Sequence, residues 1–455
     1  MANDPLNGKN VVIVGFARQG RALARWLPTL GAEVTVTDGK NAEALGINTA
    51  DYPGVDFVLE EHPDSLLDNA DLLCVSGGVP LTIPFIQAAV ERGIPLSNDA
   101  QLFLERCPAR VIGITGSAGK TTTTTLTGQM IERAGFKTWV GGNIGNVLTD
   151  VLTDIGADDT VVMELSSFQL ELMTRSPQIA AILNLTPNHL DRHGTMEAYT
   201  AAKANIIAHQ SPDDVAVLGH DDSGSYGLYD DVQGDLLWFS SESMISDGAF
   251  LLGQRLMLVG DANPSGEAQM ICDYKDVPLR GEHNLRNVLA ACTLAGVAGV
   301  TPEVMGDAIR AFEGVEHRQE VVRVLDDVTY VNDSIATAPE RVLAALRSYQ
   351  EPLVLLLGGA DKKLPWDEML QLAARKSRHI IAFGGSAADI VEKQLREMEF
   401  KGFTRVKTVE EAVAKAHELA QSGDVVLLSP GGTSYDAYND FAERGNHFRE
   451  IVNAL

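Results

Sequence analysis

The sequence has few cysteines and little positive charge. Four cysteines (Cys74, Cys107, Cys272 and Cys292) are scattered over 455 residues without a C-x-x-C pair, which excludes a disulfide framework and a zinc knuckle. Lys and Arg number 36 against 62 Asp and Glu, and the net charge of −26 argues against nucleic acid or an anionic membrane as a partner. The polar N-terminus is unlike a signal peptide, and no apolar run is long enough to span a bilayer. These absences predict a cytoplasmic protein with reduced cysteines, and we expect a monomer because no apolar interface stripe is evident.

The composition that remains is typical of layered α/β structure. Aromatic residues make up only 6% of the chain, while the hydrophobic fraction is 45%. Buried parallel strands are rich in aliphatic residues, which matches this balance. At about 100–200 residues per domain, the length predicts two to four domains.

Strand and helix patterns alternate along most of the chain, which favours parallel, doubly wound sheets. The first segment places a strand at residues 11–14, a helix at 18–30 and a strand at 33–37. The apolar segments within residues 215–280 are short and alternating, and Gly, Asp and Ser separate them. This pattern looks like a β-meander. We therefore predict three α/β domains: a Rossmann-like domain at 1–108, a central P-loop ATPase-like domain at 109–314 and a C-terminal Rossmann-like domain at 315–455.

A glycine-rich loop at residues 113–122 follows the strand that begins at Arg110. Its sequence is Gly-Ile-Thr-Gly-Ser-Ala-Gly-Lys-Thr-Thr. Glycines let backbone N–H groups face phosphate oxygens, a lysine reaches the β- and γ-phosphates, and a hydroxyl holds magnesium. Gly116, Gly119, Lys120 and Thr121 supply these groups, although the first glycine lies one residue early, at Gly113. The alternative is a glycine-rich turn with an incidental lysine, which the strand before and the helix start after the loop disfavour.

A second glycine turn, Gly15 to Gly20, follows the first strand, and Asp38 ends the next strand. The spacing is similar to that of a dinucleotide fingerprint, but Ala17 stands where glycine admits a pyrophosphate. A nicotinamide or flavin site is therefore less favoured than a nucleotide diphosphate at the same helix start. A purely structural role for this turn remains an alternative.

Polar residues follow two further strands of the central segment. Glu164 ends an apolar strand beside the phosphate loop, where its carboxylate is suited to Mg²⁺, and a capping or salt-bridged Glu is the alternative. His189 lies in a His- and Asp-containing stretch at 184–194, which could form a metal or phosphate rim. Lys203 lies on the next helix among small residues, and its spacing alone indicates a solvated surface lysine.

Seven ordered motifs carry a resemblance to the Mur ligases of peptidoglycan synthesis over nearly the whole chain. They are residues 113–122, 163–171, 184–194, 281–287, 317–318, 332–334 and 428–434. The string Ser-Ser-Phe-Gln-Leu-Glu at 166–171 and the dinucleotide-like first domain look most like the D-glutamate-adding branch of this family. The resemblance implies that the three domains bind a UDP-linked muramoyl-alanine, ATP and the incoming amino acid. It also implies an amide ligation driven by ATP through an acyl phosphate.

The resemblance implies a role for individual residues. Lys120, Glu164, His189 and Lys203 would be catalytic, with Thr121 and Glu164 on one Mg²⁺ and His189 and a carbamylated Lys203 on a second. ATP would be held by Gly116, Ser117, Ala118, Gly119, Lys120, Thr121, Thr122, Asn284, Asn287, Arg318 and Asp333. The UDP-muramoyl substrate would meet Gly15, Arg18, Gln19, Asp38, Ser76, Gly77 and Asn143, and glutamate would meet Thr337, Lys362, Ser434 and Phe441.

Three positions depart from the family pattern, and three rival functions remain. Ala118 replaces a common asparagine, Ile335 replaces the lysine of an Asp-Ser-Lys-Ala-Thr motif, and Ala17 replaces a frequent glycine. Folylpolyglutamate synthase shares the central and C-terminal domains, but it should have no counterpart of the dinucleotide-like domain at residues 1–105. A nucleotide-binding regulator would leave His189 and Lys203 without a purpose. A nicotinamide-dependent oxidoreductase would tolerate the loss of Lys120.

Overall fold

Aliphatic runs form the buried strands of three separate sheets in the computed structural model, which describes residues 4–455. The chain divides into two compact units. One comprises the residues up to 277 together with 283–311, and the other comprises 278–282 together with 312–455. No helix in the described part of the chain is long and apolar enough to cross a membrane.

The first sheet has five parallel strands in the order β3-β2-β1-β4-β5. This order reverses between β1 and β4, and ligands of open α/β sheets bind at such a point, beyond the carboxyl ends of the strands. The strands are β1 Asn10–Val14, β2 Glu33–Asp38, β3 Val55–Leu59, β4 Leu72–Val75 and β5 Leu96–Ser97. The helices are α1 Arg18–Trp26, α2 Ala42–Leu45, α3 Pro84–Glu91 and α4 Asp99–Arg106.

The helix predicted at residues 18–30 is shorter in the structure. Helix α1 ends at Trp26, and Leu27–Leu30 continue as a 3-10 turn that contains Pro28. Proline lacks the N–H that an α-helix needs in its interior, so the regular helix stops before it.

The second sheet has nine strands in the order β14-β13-β12-β11-β10-β9-β6-β8-β7. Its strands are β6 Arg110–Thr115, β7 Thr138–Gly142, β8 Thr160–Glu164, β9 Ile179–Ile182, β10 Val215–Gly219, β11 Asp235–Ser240, β12 Gly248–Leu252, β13 Arg255–Val259 and β14 Gln269–Asp273. Its helices are α5 Lys120–Arg133, α6 Ser167–Leu170, α7 Leu190–His193, α8 Met196–Ala208, α9 Ser223–Tyr226, α10 Glu282–Val297 and α11 Pro302–Arg310. Strands β6, β8 and β9 are adjacent and parallel, so the segments that follow them meet at one edge.

The prediction of a β-meander at 215–280 is only partly right. Strands β10 and β11 run parallel to β9 and extend the main sheet, and β12 is parallel to β11. Only the two pairs β12–β13 and β13–β14 are antiparallel. The short helix α9 between β10 and β11 supplies the crossover that two neighbouring parallel strands require.

The third sheet has six strands in the order β15-β16-β20-β17-β18-β19, and only β15 is antiparallel to its neighbour. The strands are β15 Glu320–Leu325, β16 Val328–Asn332, β17 Leu353–Gly358, β18 Ser377–Phe383, β19 Phe403–Arg405 and β20 Val425–Gly431. The helices are α12 Pro339–Arg347, α13 Asp367–Lys376, α14 Ser386–Glu397, α15 Val409–Leu419 and α16 Phe441–Ala454. Two buried clusters, one on each face, complete its core. The predicted α/β class is confirmed, with mostly parallel sheets throughout.

Candidate active site

The phosphate loop joins β6 to the start of α5. Gly119 has φ of +86° and forms the N-cap of α5, a conformation in which an L side chain is strained. Asn184, which follows β9, shapes the other side of the loop. Its carbonyl accepts from Ser117 N at 2.9 Å, and its side-chain oxygen accepts from Ala118 N at 2.9 Å. Asn184 therefore helps to hold the conformation of the phosphate loop.

Two lysine amines meet at one carbonyl oxygen of this loop. Lys120 Nζ donates to Gly116 O at 2.9 Å, and Lys203 Nζ donates to the same oxygen at 3.0 Å. Lys203 also donates to Thr115 Oγ1 at 3.0 Å, and only 2% of the residue is exposed. Burial first, and then the charge of Lys120, lower the pKa of Lys203 well below its usual value, while Glu164 acts in the opposite direction. The interpretation of Lys203 as a solvated surface lysine is therefore wrong.

Glu164 lies at the end of β8 with its carboxylate buried between two elements. Thr121 Oγ1 donates to Glu164 Oε2 at 2.9 Å, and Asn143 Nδ2 donates to Glu164 Oε1 at 3.0 Å. A hydroxyl and a carboxylate are the hard oxygen donors that Mg²⁺ prefers, so this pair fits the ion. Residues 4–455 contain no group of three or more His, Cys, Asp or Glu that could hold a metal by itself.

His189 lies at the start of α7, where it adopts a left-handed conformation with φ of +54°. Its ring packs edge-on against Phe168 with centroids 5.1 Å apart, and His193 stacks on Phe168 at 5.3 Å with an interplanar angle of 4°. The guanidinium of Arg192 lies 4.6 Å from the centroid of the same ring. Phe168, from the Ser-Ser-Phe-Gln motif, is thus the centre of an aromatic cluster that includes the predicted metal ligand His189.

Arg192 also reaches the first sheet. Its guanidinium donates to Gly78 O and Val79 O, both at 3.1 Å, in the segment that follows β4. Phe168 packs there too, because a Cβ on Gly77 would lie 3.7 Å from Phe168 Cβ. The predicted substrate residue Gly77 and the predicted metal ligand His189 are therefore linked through Phe168 and Arg192.

The cluster continues to the phosphate loop through Tyr199. Its hydroxyl lies 3.0 Å from Ser117 Oγ, and its ring packs against His193 with centroids 5.3 Å apart. Lys203 Nζ lies 5.1 Å from the centroid of the Tyr199 ring. Tyr199 thus contacts both the predicted ATP-binding loop and the predicted carbamylated lysine.

The turn after β1 has the close packing that its glycines require. Gly15 has φ of +90°, and its carbonyl accepts from Ser76 Oγ at 2.7 Å across the point where the strand order reverses. A Cβ on Gly20 would lie 2.1 Å from Gly15 O, so only glycine lets α1 approach β1 here. Asp38 accepts from Phe16 N at 2.7 Å and from Lys40 N at 2.9 Å. Asp38 therefore braces the predicted substrate turn through the backbone.

Arg18 contacts the central sheet as well as the predicted substrate turn. Its guanidinium donates to Gly142 O at 3.1 Å and to Gly145 O at 3.0 Å, and it also donates to Asn143 O. Arg18 therefore fixes the backbone of the loop that carries Asn143. Gln19, the next residue of α1, is half-buried.

Asn287 and Asn284 of α10 lie against the phosphate loop. A Cβ on Gly119 would lie 2.1 Å from Asn287 Oδ1, and Asn287 Nδ2 donates to Asn284 Oδ1 at 3.2 Å. Thr122, in the first turn of α5, is buried. The structure thus brings most of the predicted ATP residues of this unit to one place.

The second unit holds the remaining predicted residues. Asp333 accepts from Ser429 Oγ at 2.7 Å and from Gln319 N at 3.2 Å, and burial raises the pKa of its carboxyl to about 7. Arg318 lowers that pKa. Lys362 Nζ donates to Thr337 Oγ1 at 3.0 Å, which joins two of the predicted glutamate residues.

Ser434 lies in the segment between β20 and α16, and Phe441 is the first residue of α16. Ser434 is buried, and Phe441 O accepts from Ser334 Oγ at 2.8 Å. Asp333, Thr337 and Lys362 follow β16 and β17, which flank β20 in the sheet. All five residues therefore lie beyond the carboxyl ends of three adjacent parallel strands.

Sequence reasoning missed the side chains that connect these residues. Arg192, Phe168, Tyr199 and Asn184 lie inside or beside the quoted motifs but received no role of their own. A possible signal was the density of ring-bearing residues at 189–199 beside a loop rich in glycine. The packing of one ring on another, however, depends on the tertiary fold.

Comparison with known proteins gives a match along almost the whole chain. Family models describe residues 9–98 as a MurD-like N-terminal domain of Mur ligases, 114–295 as a Mur ligase middle domain and 317–432 as a Mur ligase glutamate ligase domain. A protein of Clostridium botulinum (strain Loch Maree / Type A3) named UDP-N-acetylmuramoylalanine–D-glutamate ligase is 40% identical over 99% of this chain and 98% of its own length. A protein of Symbiobacterium thermophilum with the same name is 41% identical over 98% of each chain.

Solved structures share the fold at low sequence identity. UDP-N-acetylmuramate–alanine ligase from Thermotoga maritima has a TM-score of 0.59 at 19% identity, and the match covers 98% of this chain and 99% of that one. The MurF ligase of the same organism in complex with ADP has a TM-score of 0.56 at 18% identity, covering 99% and 96%. These structures support the three-part α/β architecture.

Proposed function

The chain belongs to the Mur ligase family, and we infer that it adds D-glutamate to UDP-N-acetylmuramoyl-L-alanine at the expense of ATP, a step of peptidoglycan precursor synthesis. One observation carries this conclusion. Relatives named as D-glutamate ligases match the chain at about 40% identity over nearly the full length of both partners. The MurD-like model at residues 9–98 also argues against folylpolyglutamate synthase.

The reaction joins a carboxylate to an amine. The substrate carboxylate attacks the γ-phosphate of ATP, the bond to the bridging oxygen breaks, and ADP leaves. The amine of glutamate attacks the resulting acyl phosphate. The tetrahedral intermediate loses phosphate, and the amine nitrogen gives up a proton. Side-chain acid–base chemistry has a small part in this sequence, so positioning and charge stabilisation provide most of the catalysis.

Lys120 and the phosphate loop act on the charge that builds on the transferred phosphoryl group. The loop supplies backbone N–H groups at the start of α5, and Lys120 extends from its first turn. Asn287 and Asn284 border the same loop, and we assign them with Arg318 and Asp333 to ATP. The aromatic cluster around Phe168 packs beside this loop, and we propose that it helps to exclude water from the acyl phosphate.

We propose two Mg²⁺ sites, one on Thr121 and Glu164 and one on His189 and a carbamylated Lys203. Bound Mg²⁺ supplies positive charge to the phosphate oxygens. Carbamylation joins the Lys203 nitrogen to the carbon of CO₂ and releases a proton. Three features of Lys203 support it: deep burial, hydrogen bonds to two neutral oxygens, and a second lysine at one of those oxygens. A carbamate would replace the repulsion between two cations with an attraction.

The substrate residues divide among three regions. We assign Gly15, Arg18, Gln19, Asp38, Ser76 and Gly77 to the UDP-muramoyl substrate together with Asn143, and Thr337, Lys362, Ser434 and Phe441 to glutamate. We also propose domain boundaries after residues 108 and 314. We also propose that the chain acts as a monomer, which light scattering of the purified protein tests.

The deciding experiment is a phosphate-release assay with each substrate omitted in turn. Release should require ATP, UDP-N-acetylmuramoyl-L-alanine and D-glutamate together, and L-glutamate should support little or none. A nucleotide-binding regulator would instead release phosphate without either co-substrate. Intact-protein mass spectrometry in bicarbonate should show the added mass of one CO₂, and the Lys203→Ala variant should lack it.

A further inference from the structure

Three loops meet beyond the carboxyl ends of β16, β20 and β17 in the second unit. The loop at 359–364 pairs with the loop at 431–437, because Ala360 N donates to Thr433 O at 2.9 Å and Thr433 N donates to Ala360 O at 2.8 Å. The loop at 333–338 joins them where Lys362 Nζ donates to Thr337 Oγ1. Parallel α/β sheets bind their ligands at this edge.

Three cations surround these loops, and none forms an ion pair with a carboxylate of residues 4–455. Arg341 NH1 donates to Ile335 O at 3.2 Å, and Lys362 donates to Thr337. Arg444 donates to Ser334 O at 2.9 Å and to Ser334 Oγ at 3.0 Å. Every one of these partners is a neutral oxygen. In a chain with a net charge of −26, three cations without a carboxylate partner indicate a place for an anionic ligand.

The three cations differ in what they can reach. Arg444 is fully buried and its donors are taken up by Ser334 and by Gly432 O, so it holds two of the loops together. Lys362 is exposed, and partial loss of hydration first and then the charge of Arg341 lower its pKa. Arg341 is exposed in the first turn of α12, where the helix dipole disfavours a cation. A guanidinium has five N–H donors, so one bond to Ile335 O leaves Arg341 able to grip a carboxylate.

We propose that Arg341 binds one carboxylate of the incoming glutamate while Lys362 and Thr337 bind the other. This inference rests on the proposed function and adds a residue to it. Arg341 is hydrogen-bonded to residue 335 and Lys362 to residue 337 of the same loop. The two side chains therefore offer two separate positive groups to a ligand with two carboxylates. Arg444 is a positioning residue that fixes the loops carrying them.

The position of Arg341 also accounts for Ile335, where the resemblance expects a lysine. The guanidinium of Arg341 is bonded to the carbonyl of that very residue. The positive charge absent from the side chain at 335 is thus supplied from position 341.

Steady-state kinetics of four variants test the proposal. Arg341→Ala should raise KM for D-glutamate about 10- to 100-fold, the effect of losing one charge-assisted hydrogen-bonded contact, with KM for ATP and for the UDP substrate within about twofold of wild type. The KM of Arg341→Lys for D-glutamate should lie between those of wild type and Arg341→Ala. Adding Ile335→Lys to Arg341→Ala should recover at least part of the lost affinity for glutamate. Arg347→Ala is the matched control, an exposed arginine of the same helix that pairs with Glu368 at 3.1 Å, and it should match wild type.

The outcomes separate this proposal from the proposed function. If wild type shows no D-glutamate-dependent phosphate release, the function itself is overturned. If wild type is active and Arg341→Ala keeps the KM of wild type for D-glutamate, only the role of Arg341 is overturned. A parallel rise in KM for all three substrates would also overturn it, because that result indicates a structural role.

Discussion

The two cation clusters of this chain use the same kind of partner and differ in their surroundings. Lys120 and Lys203, beside the second sheet, donate to a neutral oxygen just beyond the carboxyl end of β6. Arg341 and Lys362, beside the third sheet, donate to neutral oxygens of the loop that follows β16. Around Lys203, however, the site is buried and contains Glu164, whereas Arg341 is exposed and has no carboxylate partner in the described chain. A dry site strengthens every charge interaction, which suits the chemistry of phosphoryl transfer. A wetter site suits recognition of a solvated carboxylate.

The largest loss should follow Lys120→Ala. It removes the cation at the transferring phosphoryl group in the buried cluster, and we expect phosphate release to fall by about 1,000-fold or more. Lys137→Ala, which removes an exposed lysine that directly precedes β7 and pairs with Asp159, is the control. Near-normal phosphate release by Lys120→Ala would contradict a role for the Lys120 and Lys203 cluster in phosphoryl transfer.

Lys203→Ala should cost somewhat less, about 100- to 1,000-fold in kcat, because the other charges of the site remain. Short-chain carboxylates such as formate or acetate should restore part of the activity by occupying the space of the carbamate. Full activity without rescue would contradict the carbamate. Lys203→Arg should not be rescued, since the arginine side chain still occupies the buried space that the added carboxylate would need.

A smaller effect is expected from Arg192→Ala, which leaves both clusters intact and breaks the link from Phe168 to Gly78 and Val79. We expect KM for the UDP substrate to rise about tenfold, with little change in KM for D-glutamate. Arg192→Lys should restore little, because the planar fork that meets two carbonyls is lost. Arg25→Ala removes a partly exposed pair with Asp150 and serves as the control. An unchanged KM in Arg192→Ala would show that the aromatic cluster does not depend on the arginine.

The smallest effect on ligation is expected from Asp99→Asn, which should alter stability instead. Burial raises the pKa of Asp99 to about 6, so between pH 4 and pH 6 the native state holds more protons than the unfolded chain. The stability of wild type relative to Asp99→Asn should therefore fall as pH rises, by on the order of 1 kcal/mol between pH 5 and pH 8.

Urea unfolding of both proteins at the two pH values measures this difference. Asp71→Asn is the contrasting variant, because the hydrogen bond from Lys9 lowers the pKa of Asp71 and its titration lies below this range. A pH-independent difference for Asp99→Asn would contradict the raised pKa.

Sequence reasoning was most successful where one signal decided the structure. Strand β6 begins at Arg110 and strand β8 ends at Glu164, as predicted, because the apolar run of each strand meets a charged residue there. It was only partly right at 215–280, where short polar interruptions concealed three parallel strands, β10, β11 and β12, of the second sheet. Lys203 could not be interpreted from spacing, since its burial depends on Tyr199 and the phosphate loop. The sequence also contains no signal for Arg341, because its hydrogen-bond partner is a backbone carbonyl, which does not depend on the residue type at that position.

The contact of Gly119 with Asn287 determines when, during translation, the phosphate loop can be completed. Thr123 Oγ1 also donates to Asn287 O at 3.4 Å, across 164 positions of sequence. One wall of the phosphate loop is therefore made by a helix that leaves the ribosome long after the loop itself. The nascent chain has the glycines and the lysine of the loop early, but it cannot enclose a nucleotide until translation has passed residue 287.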